Sequence, residues 1–385
     1  MSRPQILLLL ISLAAIGGGV FLWWPAGPTA TLAAPPQGGG VPLGAGHPLT
    51  APAADPLLAA AGRLREKPES ADAARTLKEL QANLAALPKD EALAVVAAFL
   101  ASGKDQPTGL EFEINPDGTL KGWPTLRTFL LDSLLALDPA TAARMSRDLL
   151  ATPTTADEWA LALRNIGRVE TGAEANAFLR ERTEALITNP AWQADPSIGY
   201  LNAFDVLVHT NATASTPLLS NLIQDKDRRD LAHAGFLTLD RLVQRQPTVE
   251  LQLLAADRAL QQSRPEMVAQ QFARADLRDA AQQALLKSWL LDPTRTPTEL
   301  RSFAGVYPNS NRFISNNLLT TESQQPGTDL AAHDRQALEI VSGWLADPAF
   351  KSVKDHLLTM VSRLNEFTGA SQAPTSPTSP TPADP

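Results

Sequence analysis

Two carboxylate–histidine pairs come closest to a motif that could bind a metal ion. Asp205/His209 and Asp329/His333 each lie four positions apart, and on a helix this spacing places both side chains on one face. Neither pair belongs to an H-E-x-x-H motif, and capping residues or solvated pairs are much commoner at this spacing. We therefore predict no metal site from these histidines.

Motifs for other chemistry are missing from the sequence as well. It contains no P-loop, no G-x-S-x-G and no G-x-G-x-x-G between a strand and a helix. The absence of cysteine excludes disulfide bonds and thiolate metal sites. Aspartate and glutamate are plentiful, so a glycosidase-like pair of carboxylates could still assemble in three dimensions. We predict no catalytic residue and no cofactor, and the pattern favours a protein that is not an enzyme.

One stretch of the chain departs from the helical pattern of its neighbours. Phe112 and Ile114 alternate with two glutamates, which is the two-residue period of a strand. The Asn-Pro-Asp-Gly sequence at 115–118 has proline and glycine where a type I turn favours them. We therefore predict a small β-hairpin near 110–121.

The predicted hairpin has two interpretations. It could cover one end of a helical array, as terminal repeats must. It could instead form a binding edge, with Trp123 as an aromatic anchor and Asp105, Glu111 and Asp117 as polar contacts. A calcium site is a weaker form of the second interpretation, because these acidic residues do not match the EF-hand spacing.

A second irregular stretch, 307–326, is rich in asparagine and serine, with Leu318 and Leu319 among its candidates for burial. It could be an ordered loop over the array. Alternatively it offers a surface for a peptide or a sugar, because asparagine side chains carry both donors and acceptors. On the second interpretation, Asn309 and Asn311 are candidate partner-binding residues.

The elements that must position these residues are helices. Between 55 and 369 apolar residues recur at intervals of three and four, the period of an amphipathic helix. The clearest stripe belongs to the last helix and comprises Val353, Leu357, Met360, Val361, Leu364 and Phe367.

Helix starts are marked at short, regular intervals along this domain. Four pairs have capping-box spacing: Thr155/Glu158, Thr171/Glu174, Ser263/Glu266 and Thr296/Glu299. Four Asp-Pro steps also suit a helix start: those beginning at Asp138, Asp195, Asp292 and Asp347. Two helices per ~35–45 residues is the pitch of α-solenoids. The sequence therefore predicts an all-α fold, an irregular α–α superhelix of HEAT/TPR-like helical hairpins, with a helical bundle or an α/α toroid as the alternative.

The N-terminal stretch 6–24 is apolar and free of charged side chains. Its length suits a transmembrane helix, and Trp23 and Trp24 close it where aromatic residues meet the membrane interface. Arg3 precedes it, so the positive-inside rule places residues 1–5 in the cytoplasm and the rest of the chain outside it. A cleaved signal peptide is the alternative.

The anchor is followed by a linker, and the domain by a tail. Residues 25–54 are almost entirely Pro, Gly and Ala, a composition typical of a tether. Residues 370–385 are rich in Pro, Ser and Thr and have little to bury, so we predict a disordered tail.

The net charge of the chain limits the kinds of partner that it can bind. The formal net charge of −8 argues against nucleic-acid binding. We predict a membrane-tethered, extracytoplasmic interaction or scaffold module of the cell envelope, periplasmic in a bacterium, whose partner is another envelope protein or a peptide. An envelope glycan hydrolase or lyase on an α/α toroid is the alternative.

Overall fold

The computed structural model describes residues 56–66, 70–115, 117–311, 317–320 and 329–369. Three predicted segments lie outside these ranges: the anchor at 6–24, the linker at 25–54 and the tail at 370–385. Within the described ranges, no helix combines the length and apolar character that a membrane crossing requires.

Helices dominate the described chain, which confirms the all-α prediction. The first nine are α1 Pro56–Glu66, α2 Ser70–Ala86, α3 Lys89–Ala101, α4 Leu126–Leu137, α5 Pro139–Leu149, α6 Ala156–Val169, α7 Ala173–Ile187, α8 Pro190–Ala194 and α9 Ile198–Ala203. Those that follow are α10 Asp205–His209, α11 Thr216–Gln224, α12 Arg229–Arg245, α13 Pro247–Ala256, α14 Arg258–Ser263, α15 Pro265–Phe272, α16 Ala280–Leu290, α17 Pro297–Val306, α18 Leu330–Ala346 and α19 Lys354–Thr368. Short 3₁₀ segments occupy Thr213–Ser215 and Pro348–Val353.

A two-stranded antiparallel hairpin lies between α3 and α4. Its strands are β1 Glu113–Ile114 and β2 Leu120–Gly122, and Ile114 pairs with Leu120. Both of these side chains are buried. The two-residue alternation of the sequence thus corresponds to one face turned toward the core.

Half of the predicted helix starts are confirmed by their capping hydrogen bonds. The confirmed N-caps are Thr155, Thr296, Asp138 and Asp347. Thr296 forms a full capping box, because its hydroxyl accepts from the Glu299 N–H and the Glu299 carboxylate accepts from the Thr296 N–H.

At Thr171, Ser263 and Asp195 a helix does begin, but the N-cap is a residue one or two positions later, and at Asp292 the predicted start is wrong. At the third, Ser197 replaces Asp195 as the N-cap, since its hydroxyl accepts from the third amide of α9. At the fourth, Asp292 accepts from the N–H and the hydroxyl of Thr294 and closes a local turn instead. Asp and Ser side chains serve turns and helix starts equally well, so the pattern alone does not separate the two.

The helices form a repeat-like series with one connected core. Helices close in the chain pack together along the domain, for example α1 with α2, α5 with α6, α11 with α12 and α18 with α19. The apolar core runs continuously from Leu57 on α1 to Leu364 on α19. Five side-chain hydrogen-bonded pairs in the described ranges are separated by 34 residues: Asn165–Leu131, Thr216–Glu250, Arg274–Asp240, Arg258–Asp292 and Arg295–Gln261. A recurring separation of this size indicates that equivalent positions of successive helical units meet.

Candidate functional site

A short, bent piece of chain lies across helices that precede it by many residues. We call residues 317–320 the crossing segment. Leu318 and Thr320 are buried, with 0% and 4% of their surface exposed. The hydrogen-bond partners of the segment lie 79 to 150 positions earlier in the chain. The residues that bind it belong to α6, α10, α12 and the hairpin turn.

Asp205, the first residue of α10, binds the main chain of the crossing segment. Its Oδ2 accepts from the N–H of Leu319 at 2.7 Å and from the N–H of Thr320 at 3.0 Å. Its Oδ1 accepts from the hydroxyl of Thr320. Only 3% of Asp205 is exposed. A charged acceptor that serves three donors makes strong hydrogen bonds, so this carboxylate fixes the position of the segment.

Arg241 on α12 neutralises the buried carboxylate. Its Nη2 lies 2.8 Å from Oδ1 of Asp205, and the same nitrogen donates to the hydroxyl oxygen of Thr320. Both charged side chains are almost fully buried. The Thr320 hydroxyl therefore sits between an anion and a cation, as a donor to the first and an acceptor from the second.

Arg168 on α6 joins the crossing segment to the hairpin. Its Nη2 donates to the carbonyl oxygen of Asp117 in the hairpin turn at 2.9 Å and to the carbonyl oxygen of Leu318 at 3.3 Å. Gly118 makes room for this contact. It has a φ of +79°, and a Cβ placed there would lie 2.2 Å from the Arg168 guanidinium and 2.9 Å from the Leu318 oxygen.

The side chain of Leu319 rests on α6. A Cβ at Gly167 would lie 2.7 Å from a methyl carbon of Leu319, so a larger residue there would require the leucine side chain to shift. His209 lies next to the same position. Burial lowers the pKa of His209, which leaves its ring uncharged at neutral pH. Leu319 therefore packs on a glycine of α6, and the histidine beside that glycine is uncharged.

A second buried ion pair continues the polar row beside Arg241. Asp240 on α12 lies 2.8 Å from Arg274, which follows α15. Arg274 also donates to the carbonyl oxygens of Asn311 at 2.8 Å and of Asn309 at 3.3 Å. Both sequence-predicted asparagines thus contact the array through their main chain, and the side chain of Asn309 donates to the carbonyl oxygen of Gln270.

The hairpin candidates lie in different environments. Glu111 is exposed. Asp105 accepts from the backbone N–H of Arg127 at 3.0 Å. Asp117 is exposed, and hydrogen bonds from the hydroxyl and N–H of Thr119 lower the pKa of its carboxyl. Through its carbonyl oxygen, Asp117 is the hairpin candidate that Arg168 links to the crossing segment.

Trp123 belongs to a half-buried polar network. Its indole N–H donates to Asp132 at 2.8 Å, and its ring meets Phe129 edge-on at 5.2 Å. Arg164 binds the other carboxylate oxygen of Asp132 at 2.6 Å and is 1% exposed. Burial lowers the pKa of Arg164, and the charge of Asp132 opposes that shift. The indole N–H of Trp123 thus makes a structural hydrogen bond. If Trp123 also anchored a partner, this N–H group would already be in use.

The two carboxylate–histidine pairs differ in what they do. Asp205 binds the crossing segment, as described. Asp329 is the N-cap of α18 and accepts from the N–H of Ala332 at 3.0 Å. His333 lies 3.0 Å from Asp334 and 3.7 Å from Asp276. In the part of the chain that the structure describes, no three His, Asp or Glu side chains converge to hold a metal ion.

The sequence offered one signal for the residues that were missed. Arg168 and Arg241 were not singled out, although Arg241 is a cation that lies among Leu239, Leu242 and Val243 of a predicted helix. Such cations are rarely buried unless they are paired, so they indicate a polar contact across the helix face. Arg168 is exposed and follows Arg164 on α6, so its sequence context carries no such signal.

Two cavities open on the described surface away from the crossing segment. The larger, about 440 Å³, is lined by Ala255, Arg258, Gln261, Leu285, Ser288, Trp289, Leu291 and Asp292. The smaller, about 200 Å³, lies between α7 and the residues that follow α10. Hydrogen bonds from the Thr294 hydroxyl, Arg258 and Arg295 hold the pKa of Asp292 far below its usual value. The carboxyl in the larger cavity is therefore an anion in ion pairs.

Comparison with models of protein families, with curated proteins and with solved structures finds no match to this chain.

Proposed function

We propose that this chain is a non-enzymatic interaction or scaffold module of the cell envelope that binds a peptide segment of another envelope protein. One observation carries the proposal: the array already holds a segment of chain through main-chain atoms. Asp205 accepts from two consecutive backbone N–H groups, and Arg168 donates to a backbone carbonyl. Every peptide has these groups, so the same helical face suits a segment from a partner.

The finer architecture we propose is an irregular α–α superhelix of HEAT/TPR-like helical hairpins. The recurring separation of 34 residues between hydrogen-bonded pairs supports it, as does the packing of helices that are near in the chain. Repeat arrays present extended surfaces, and these surfaces usually bind partners.

We further propose that residues 6–24 anchor the domain in the membrane and residues 25–54 tether it on the extracytoplasmic side, in the periplasm if the source is a bacterium. The support is the sequence: an apolar stretch that follows Arg3 and precedes an uncharged linker. The net charge of −8 favours a protein partner over nucleic acid.

The alternative, a glycan hydrolase or lyase, would need a protonated carboxylic acid facing a second carboxylate. In the larger cavity Asp292 has the opposite character, because ion pairs with Arg258 and Arg295 keep its pKa low. This observation favours binding over glycan cleavage at that cavity.

Site-specific crosslinking in intact cells tests the proposal. A photoreactive amino acid at position 209, beside Leu319, should capture one defined stretch of a partner, which mass spectrometry of the crosslinked peptide would identify. The matched control is position 358, since Leu358 is 47% exposed on α19. If position 209 captures no partner peptide in the wild-type chain or in Leu318→Ala, and purified protein degrades envelope glycan, the proposal is wrong.

A further inference from the structure

The geometry points to an autoinhibited peptide site. We propose that the crossing segment is an internal ligand, and that it occupies the place of a partner segment with the pattern apolar–apolar–Ser/Thr. This inference rests on the proposed function and adds to it the sequence class of the partner and the means of regulation.

The site binds main-chain groups that other peptides also carry. Three main-chain groups of consecutive residues are bound: the carbonyl of Leu318 by Arg168, and the amides of Leu319 and Thr320 by Asp205. None of these contacts depends on a side chain of the segment. A second peptide that adopts the same bend can make the same contacts.

The hydroxyl of Thr320 makes the site selective for particular side chains. The Thr320 hydroxyl donates to Asp205 and accepts from Arg241, and all three side chains are almost fully buried. A residue without a hydroxyl would leave buried charged groups short of a partner, which is costly. Serine or threonine is therefore favoured at this position, and the fully buried Leu318 favours an apolar residue two positions earlier.

Two oppositely charged side chains, those of Asp205 and Arg241, hold this segment. An apolar contact secures a surface loop as well as a buried ion pair does, because burying two charges costs much of what their attraction returns. A site lined by charged side chains has a different advantage, because water solvates these side chains well when the segment leaves. The pair of Asp205 and Arg241 thus suits a site that alternates between its own segment and a partner.

The crossing segment competes with a free peptide for the site. A ligand on the same chain acts at an effective concentration on the order of millimolar. For an intrinsic dissociation constant of about 10 μM, the internal segment would weaken the apparent affinity for a free peptide about 100-fold. Substitutions that weaken the contacts of the crossing segment should restore most of this lost affinity for the free peptide.

The experiment uses the full chain in detergent and a fluorescent probe peptide, Asn-Leu-Leu-Thr between Gly-Ser flanks. Fluorescence anisotropy compares wild type with Leu318→Ala/Thr320→Ala, which weakens the segment and leaves the charged side chains of the site intact. We expect the double variant to bind the probe at least about tenfold more tightly than wild type. Adding Asp205→Asn should abolish this binding, and a probe with valine in place of threonine should bind much more weakly.

Two controls keep the outcome interpretable. Leu358→Ala, at an exposed site on α19, should bind the probe as wild type does. If the double variant unfolds early in a thermal melt, Thr320→Val alone serves, because it keeps the shape and removes the hydroxyl. In wild type, saturating probe should increase hydrogen exchange at the amides of Leu319 and Thr320.

The outcomes separate the two proposals. Equal affinity of wild type and the folded double variant for the probe would overturn autoinhibition and leave peptide binding standing. No binding to the folded double variant would also overturn it, since the site would not accept its own sequence in trans. The crosslinking at position 209 decides the proposed function independently.

Discussion

Glu250 on α13 makes the stability of this fold depend on pH near neutrality. The residue has no solvent-exposed surface, and the hydroxyl of Thr216 lies 3.0 Å and 2.8 Å from its two carboxyl oxygens. Burial raises the pKa of Glu250 to about 7, and the hydrogen bond from Thr216 only partly opposes the shift. At neutral pH this buried carboxyl is therefore close to half protonated.

The sign of the effect follows from proton binding. An unfolded glutamate has a pKa of about 4.3, so between that pH and about 7 the folded state binds more protons than the unfolded state. The contribution of Glu250 is fully favourable below about pH 4.3, is lost as the pH rises toward 7, and levels off above it. The free energy of unfolding should fall by roughly 3 kcal/mol across this window, because each pKa unit corresponds to about 1.4 kcal/mol.

The substitution Glu250→Gln isolates this contribution, since glutamine keeps the shape and carries no charge. Relative to wild type, it should raise the free energy of unfolding at pH 8.5 by up to about 3 kcal/mol more than at pH 4.5. Denaturant unfolding followed by circular dichroism at both pH values measures the difference. Glu91→Gln, at an exposed position of α3, is the control. A difference between variant and wild type that is the same at both pH values would refute the reasoning.

Three further substitutions test the polar contacts. Arg164→Ala leaves the partly buried Asp132 without its cation and should cost at most about 3–5 kcal/mol of stability in denaturant unfolding, an effect that Asp132→Asn in the same background should relieve. Gly118→Ala should increase hydrogen exchange at the Leu319 amide, because the new methyl group collides with the guanidinium that binds the segment; unchanged exchange would show that the contact is unimportant. Trp123→Ala should lower the melting temperature, with a cost of at most about 3–5 kcal/mol, if the hairpin is structural; an unchanged melting temperature with weaker partner binding would instead favour a binding edge.

Local patterns in the sequence predicted local structure well. The stripe assigned to the last helix contains Leu357, Met360 and Leu364, and all three are fully buried on α19. The two-residue alternation at Phe112 and Ile114 corresponds to a hairpin with both side chains buried. These features depend on residues a few positions apart, so the period of apolar residues is enough to find them.

The candidate site was much harder to predict, because it depends on distant contacts. Asp205 was considered as a partner of His209 four positions away, whereas its hydrogen bonds go to residues 114 and 115 positions later. Nothing in the spacing of a single sequence encodes such a separation. Leu318 and Leu319 were expected to be buried, but the helices that bury them were not identifiable without the fold.

The order of the chain has a consequence for how the site is filled during synthesis. Arg241, the last of the three charged residues that bind the crossing segment, is made 79 residues before Thr320. At about 5–20 residues per second, roughly 4–16 s separate the two. A nascent chain whose helices have already folded would thus present an empty site for several seconds. A partner peptide that is present during this interval would bind the site without competition, because the crossing segment has not yet been made.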